Sequence, residues 1–186
     1  MKPTFKYIFV AAVFIAGCNS TPESESTDAP IESENVVSGQ SAVKDDVSSP
    51  NIVQVAVGSK DHTTLVAALK AAELVDALSN AGPFTVFAPT NAAFDKLPAG
   101  TLEGLLKPEK KETLIDILQY HVAVGVYKAE SFIDGQSLGE VNGSNIKISI
   151  VDGKPVINGK THIIASIPTS NGIIHVIDEV LLPPAQ

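Results

Sequence analysis

Phe84-Thr-Val-Phe-Ala-Pro-Thr-Asn-Ala-Ala-Phe94 has the pattern of a central strand that runs directly into a capped helix. Its first five residues place large or β-branched side chains on both sides of an extended chain, which predicts a strand buried on both faces. Pro89 lacks an N–H group and ends the strand. Thr90 or Asn91 then caps a short helix. The inward positions of that helix are Ala93, Phe94 and Leu97.

This run resembles the first conserved box of the fasciclin (FAS1) domain family, and two further boxes follow in the family's order. They are Tyr120-His121-Val122 and Asn171-Gly-Ile-Ile-His-Val-Ile-Asp-Glu-Val-Leu-Leu-Pro183. The boxes together delimit one domain, which we place at residues 50–184. The resemblance implies the fasciclin fold, an α+β fold in which a compact β-sandwich or wedge of antiparallel strands is flanked by helices from the N-terminal half.

The spacing of apolar residues independently predicts helices in the first half of this domain. Apolar side chains at three- and four-residue steps predict a helix from His62 to Asn80, capped by Asp61 or Thr63 and ended by Gly82-Pro83. Two shorter helices are predicted, over Leu102–Lys107 with Thr101 as the cap and over Glu109–Tyr120.

Strand patterns replace the helical period after Tyr120. Alternating apolar segments are separated by the turn pairs Asn142-Gly143, Asp152-Gly153 and Asn158-Gly159, which predict antiparallel meanders. Helices grouped early and strands grouped late are typical of an α+β fold with segregated layers.

Residues 1–17 have the architecture of a bacterial lipoprotein signal peptide. Two lysines precede the apolar run Tyr7–Ala16, which is too short to remain as a membrane span. The run ends in Ile15-Ala-Gly-Cys18, which resembles a lipobox, so we expect Cys18 to become the lipidated N-terminus. Asn19 after the cysteine resembles the signal for export to the outer membrane, on its periplasmic or its surface face. The alternative is an ordinary secretory signal with an unrelated cysteine.

Residues 18–49 are predicted to be a disordered tether. Ser, Thr, Pro and acidic residues dominate, and between residues 19 and 46 seven acidic side chains face one lysine. Such a segment buries too little apolar surface to offset the entropy of ordering, and its charges repel one another. A coil of about 30 residues has a root-mean-square reach of roughly 30 Å.

The composition excludes some classes of partner. The chain contains no arginine, and without residues 1–17 its 11 lysines face 21 acidic residues, a net charge of −10. An acidic chain without guanidinium groups is poorly suited to nucleic acid, because phosphate and base contacts depend on basic side chains. We therefore expect no nucleic-acid partner.

Four histidines raise the question of enzymatic chemistry. Together with Ser166, Ser170 and Asp178 they suggest a Ser-His-Asp set, but no nucleophile elbow is present. The histidines occur singly, at His62, His121, His162 and His175, without the close pairs that zinc sites use. We therefore expect no catalytic residues, no metal and no cofactor, and we interpret His121 and His175 as hydrogen-bonded residues of the interior.

The candidate partner-binding residues are Tyr120 and His121. The pair matches the Tyr-His motif implicated in integrin binding by animal fasciclin domains, and this role comes from the resemblance alone. Leu118, Val122 and Tyr127 would extend it into a small apolar patch. The alternative is that the pair merely closes the core.

One position departs from the family's pattern. Ser166 stands where an Asp commonly precedes the last box, so an Asp-Ile receptor motif is absent. This departure weakens the case for recognition of an integrin.

Three functions remain open at this stage. The first is a non-enzymatic, lipid-anchored adhesion or interaction module of the bacterial envelope that binds extracellular protein or polysaccharide. The second is an envelope binding protein for a small or lipidic ligand, which requires a pocket of about 300–1,000 Å³. The third is a hydrolase, which requires a Ser–His contact of about 2.6–3.2 Å in a cleft. The sequence leaves the oligomeric state open.

Replacement of the lipobox cysteine tests the predicted anchor. We expect Cys18→Ser to move the mature protein from the membrane fraction to the soluble fraction, because more than one acyl chain is needed for stable attachment. Detergent phase separation of both forms measures the change. Partition of the wild-type protein into the aqueous phase would show that Cys18 carries no lipid.

Overall fold

The computed structural model describes residues 49–184, which form six α-helices and seven β-strands. The predicted signal peptide, Cys18 and nearly all of the predicted tether lie outside the described residues. Within the described part, no helix is both long and apolar enough to cross a membrane. The helices are α1 (Ile52–Gly58), α2 (Thr63–Ala71), α3 (Val75–Ser79), α4 (Asn91–Asp95), α5 (Thr101–Leu105) and α6 (Lys111–Gln119). The strands are β1 (Phe84–Pro89), β2 (Val122–Val124), β3 (Ser137–Gly139), β4 (Asn145–Val151), β5 (Lys154–Ile157), β6 (Thr161–Thr169) and β7 (Gly172–Ile177).

The seven strands form one mixed sheet in the order β2-β1-β7-β6-β5-β4-β3. Strands β3 to β7 are joined as the antiparallel meander that the turn pairs predict. Strand β1 lies inside the sheet, antiparallel to β2 and parallel to β7. The parallel pair could not be expected from the local pattern, because its two strands are far apart in the chain. The α+β prediction, with helices in the N-terminal half, is confirmed.

The sheet curves until its two ends almost meet. Ala123 of β2 forms an isolated antiparallel bridge with Glu140, just after β3. Beside it, the Val141 N–H group donates to the Val122 carbonyl at 2.8 Å. The result is a nearly closed, wedge-shaped barrel rather than a flat sheet.

Two of the predicted tight turns have the backbone that their sequences require. Asp152 and Gly153 have φ angles of 52° and 74°, and Asn158 and Gly159 have 50° and 74°. Positive φ at both central residues is what a two-residue hairpin turn needs, and Asn, Asp and Gly tolerate it best. These turns set the register of β4 with β5 and of β5 with β6.

The predicted continuity of the first long helix is wrong, and so are its predicted caps. The helix expected from His62 to Asn80 is interrupted between α2 and α3, where Glu73 adopts a positive φ of 58°. Neither Asp61 nor Thr63 caps it, because α2 continues from a 3₁₀ turn and has no side-chain cap. Local apolar spacing did not reveal this break, because it continues across the interruption.

The predicted Thr101 cap is also wrong, whereas the cap after β1 is found. Thr101 is the first residue of α5, and the cap position is Gly100 with a φ of 80°. Thr90 caps α4, since its side chain accepts a hydrogen bond from the Ala93 N–H group. The sequence allowed either Thr90 or Asn91 as this cap, and Asn91 is the first residue of the helix.

Strand β1 separates two hydrophobic cores. Val86 and Ala88 face the core formed with the helices, whereas Phe87 faces the core enclosed by the curved sheet. The strand is therefore buried on both faces, as its alternation predicts. The second core consists of Phe87, Tyr120, Phe132, Leu138, Ile146, Ile148, Ile157, Ile177 and Leu181.

Truncation of Phe87 tests the dependence of the fold on this strand. Phe87 is 0% exposed, so we expect Phe87→Ala to lower the free energy of unfolding by about 3–5 kcal/mol through lost burial and a residual cavity. Urea denaturation measures this loss, and Phe94→Ala is the matched control because Phe94 is only half-buried. Equal losses in the two variants would contradict a special role for β1.

Candidate functional site

His121 is hydrogen-bonded to three separate parts of the chain. Its Nδ1 atom lies 2.7 Å from the Ile117 carbonyl of α6, and its Nε2 atom accepts the Leu181 N–H group at 3.0 Å. Its own carbonyl accepts the Phe87 N–H group at 2.8 Å. The ring must stay neutral to accept from Leu181, and burial lowers the pKa of His121 to about 4.

Tyr120 is buried beside it, on the sheet side. Its hydroxyl donates to the Asn145 carbonyl and accepts from the Asn158 side-chain amide, both at 3.2 Å. Tyr120 and His121 are only 2% and 3% exposed. The Tyr-His pair therefore lies in the interior, and direct contact with a partner would require these side chains to leave the core.

The apolar patch expected around the pair is not on the surface. Leu118 and Val122 are buried as well, and Tyr127 is half-buried. This placement is the one expected if Tyr120-His121 closes the core. A role of the pair in partner binding stays a prediction.

The second interior histidine connects the core to the surface. The His175 ring lies between Phe87 and Phe132, with both ring centroids 5.6 Å away. Its Nε2 atom bonds to the Tyr127 carbonyl at 2.7 Å, so its Nδ1 atom is free to accept the Ser166 hydroxyl at 2.8 Å. His175 is fully buried, whereas Ser166 is exposed on the adjacent strand.

The Ser166–His175 contact has the length expected of a hydrolase, but the third member of a triad is elsewhere. Asp178 contacts His162 at 3.1 Å, on the outer part of the sheet. His175 bonds to a neutral carbonyl, and burial lowers its pKa, with smaller opposing effects of the Tyr127 carbonyl and the Glu130 carboxylate. Proton transfer from serine would create an imidazolium ion that this environment disfavours.

The predicted sites do not form a metal centre in the part of the chain that the structure describes. The histidines have separate partners: His62 is buried and contacts Ser59, His162 contacts Asp178, and His121 and His175 bond to main-chain carbonyls. No group of three or more potential ligands converges among residues 49–184.

An open groove of about 390 Å³ lies over the Ser166 end of this pair. One wall is the segment after β2, and the other is formed by β6 and the start of β7. Its lining includes both apolar and polar residues. The lining residues are Val126, Lys128, Glu130, Ser166, Pro168, Gly172 and Ile173. Sequence analysis did not identify this groove, because its two walls are about 40 residues apart in the chain.

A smaller apolar pocket of about 160 Å³ lies between the helices and β1. Binding sites for drug-sized ligands are usually about 300–1,000 Å³. The volume of this pocket is closer to that of a cavity of about 150 Å³ that holds benzene. The pocket therefore suits one small apolar group better than a lipid chain. Its lining residues are Leu69, Leu74, Ala77, Leu78, Phe84, Leu118, Gln119, Val122 and Val141.

Glu140 is a buried acid at the place where the sheet nearly closes. It is 6% exposed, and neither carboxylate oxygen has a hydrogen-bond partner among the described residues. Burial raises its pKa to about 8, so the carboxyl group is mainly protonated at neutral pH. Sequence analysis overlooked Glu140, because a single acidic residue beside an Asn-Gly turn is normally exposed.

Comparison with known proteins supports one family over most of the domain. Residues 60–183 match the model of the fasciclin domain. The Synechocystis protein sll1483 is 52% identical over 137 residues, which are 74% of this chain and 76% of that protein. The cell surface glycolipoprotein MPB83 of Mycobacterium bovis is 42% identical over 113 residues, covering 61% of this chain and 49% of that protein.

A solved structure has the same fold. It is a FAS1 domain pair from the insect cell adhesion molecule fasciclin I, with a TM-score of 0.64 and 21% sequence identity. The match covers 72% of this chain and 51% of the solved chain. At this identity the similarity concerns the fold alone.

The buried acid and histidines predict where stability depends on pH. Between about pH 7.5 and 8, the histidines with lowered pKa values are mostly neutral in both states, whereas Glu140 is largely protonated when folded and ionised when unfolded. The folded state then binds more protons, so the free energy of unfolding falls as pH rises through this window.

We expect Glu140→Gln to reduce this fall by up to about 1.4 kcal/mol per pH unit. Urea denaturation at intervals from about pH 6 to 8.5 measures the slope. Glu109→Gln is the control, because Glu109 is exposed. An unchanged slope in Glu140→Gln would show that Glu140 is already ionised in the folded domain.

Proposed function

The chain belongs to the fasciclin domain family, and on that premise we propose that it is a non-enzymatic interaction module of the bacterial cell envelope. It is held to the outer membrane by lipid on Cys18 and attaches to extracellular or envelope protein or polysaccharide. Nucleic acid is not among the proposed partners.

The observation that carries the proposal is the contrast between the occupied interior and the open groove. The groups that would support chemistry, on Tyr120, His121 and His175, already bond to carbonyls or N–H groups of the domain. The groove of about 390 Å³ presents Lys128, Glu130 and apolar surface to solvent. A rigid scaffold with an open surface site suits binding better than catalysis.

One relative supports the proposed location. MPB83, which is 42% identical over 113 residues, is named a cell surface glycolipoprotein. Within this chain, the lipobox-like residues and the acidic segment after Cys18 support a lipid anchor with an extended connection to the domain. Because this chain spans about half of MPB83, the activity of that whole protein is carried over only as part of the proposal.

A carrier of small apolar ligands is the second candidate. The pocket of about 160 Å³ between the helices and β1 favours it, because its lining is almost entirely apolar. Its size restricts the ligand to a group about as large as one aromatic ring. The pocket is smaller than the usual range for ligand sites of about 300–1,000 Å³, so the interaction module is the better-supported function.

Attachment of the purified chain to fractionated envelope tests the proposal. We expect saturable binding of the folded protein, and we expect loss of binding after the chain is unfolded with urea. Treating the envelope separately with protease or with periodate distinguishes a protein partner from a polysaccharide. Binding that is neither saturable nor dependent on folding would contradict the proposed function.

Tyr120→Phe tests whether Tyr120 contacts the partner directly or only stabilises the interior. This variant keeps the buried ring but removes the hydroxyl, so we expect a stability loss of about 1–3 kcal/mol and unchanged attachment of the folded protein. Attachment and urea denaturation are measured on the same preparation. Loss of attachment without a matching loss of stability would instead assign Tyr120 a direct contact with the partner.

A further inference from the structure

Strand β6 has an open edge over most of its length. Ile163 and residues Ala165 to Thr169 pair with β7, but only Thr161 and His162 pair with β5 on the other side. From Ile163 onward, no other strand of the described domain pairs with that second side. An unpaired side of a strand presents main-chain donors and acceptors to solvent.

The sequence of this edge is suited to pairing. Residues 163–169 are Ile-Ile-Ala-Ser-Ile-Pro-Thr and contain no charged side chain, although exposed edges are often protected by lysine. The register shifts between Ile163 and Ala165, and Ile164 is 61% exposed at that irregularity. Pro168 belongs in an edge strand, where its missing N–H group faces away from the neighbouring strand. The irregularity and the proline limit pairing to a short stretch.

The groove lies against this edge. Ser166 and Pro168 are two residues apart on β6, so both side chains point to the face that the groove occupies. Val126, Lys128 and Glu130 form the opposite wall. A strand added to the edge would therefore place alternate side chains in or near the groove.

We propose that an extended polypeptide segment of the partner pairs with β6 at residues 164–168 and inserts a side chain into the groove. This inference rests on the proposed function and narrows the partner to a protein rather than a polysaccharide. Main-chain groups repeating at about 3.3 Å per residue are complementary to another extended main chain. One lysine and one glutamate at the groove balance each other, so an uncharged, β-branched segment fits better than an acidic or basic one.

Synthetic peptides test pairing with the edge directly. The probe is a panel of fluorescein-labelled nonapeptides of alternating Val and Thr, with the central residue varied through all the uncharged amino acids. Fluorescence anisotropy measures their binding to the purified full chain. The best binder is then remade with N-methyl groups on alternate amides, which removes main-chain donors without changing the side chains.

We expect at least one peptide to bind saturably and N-methylation to weaken it more than tenfold. We also expect Ile164→Lys to weaken binding more than tenfold, because it places a charge on the edge. Val151→Lys is the matched control: Val151 is 51% exposed on β4, which is separated from β6 by β5, and its replacement should leave binding within twofold. Failure of the whole panel, insensitivity to N-methylation or equal effects of the two lysines would overturn the inference.

The same two variants in the envelope assay separate this inference from the proposed function. Protease-sensitive attachment that is lost in Ile164→Lys and kept in Val151→Lys supports both. Attachment that survives Ile164→Lys leaves the interaction module standing and refutes the edge. Attachment that is absent in the wild type refutes the proposed function, whatever the peptides do. A concentration-dependent dimer that Ile164→Lys abolishes would make a second copy the occupant and overturn the choice of an external partner.

Discussion

The parallel pairing of β1 with β7 is the contact on which the rest of the domain depends. Its six residue pairs, from Phe84 with Gly172 to Pro89 with Ile177, join segments almost ninety residues apart.

Asn171 stabilises the start of the pair. Its carbonyl accepts the Phe84 N–H group, and its side chain bonds to Ile52, Leu78 and Asn80. One buried amide thus connects the sheet to the first and third helices. A side chain on Gly172 would overlap the Phe84 backbone, so only glycine permits this approach.

Of the three buried histidines, His121 and His175 make hydrogen bonds between distant segments of the domain. His121 joins α6 to the C-terminal segment, and His175 joins β7 to the segment after β2. Each ring donates one hydrogen bond and accepts another, which only a neutral imidazole can do. Three of the four groups that these rings bond to are main-chain groups, and the fourth is the Ser166 hydroxyl. In the proposed function, recognition of a partner falls to surfaces outside the two cores, and the groove beside Ser166 is one such surface.

Local chemistry accounts for the parts of the structure that the sequence predicts. The two-sided burial of β1, the cap at Thr90 and the turns at Asp152-Gly153 and Asn158-Gly159 depend on neighbouring residues alone. The break at Glu73 separates two helices that both pack on α1, and periodicity does not report such tertiary packing. The Tyr-His motif was recognised, but its burial was open, because a motif specifies residue types and not their exposure. The groove required two distant segments to meet, so no local pattern could reveal it.

The sheet is nearly closed where β2 approaches β3 but is open along β6. Where β2 approaches β3, the chain closes the gap through the Ala123–Glu140 bridge, although this buries a carboxyl group without a partner. Such a group costs about 1–3 kcal/mol, so closure at that point has a stability cost. Along β6 the chain leaves the edge open, without charge, and limits it by an irregular register and Pro168. The irregular register and Pro168 restrict uncontrolled pairing of this edge without placing a charge on it. A short strand can then still pair there, as the proposed peptide-binding edge requires.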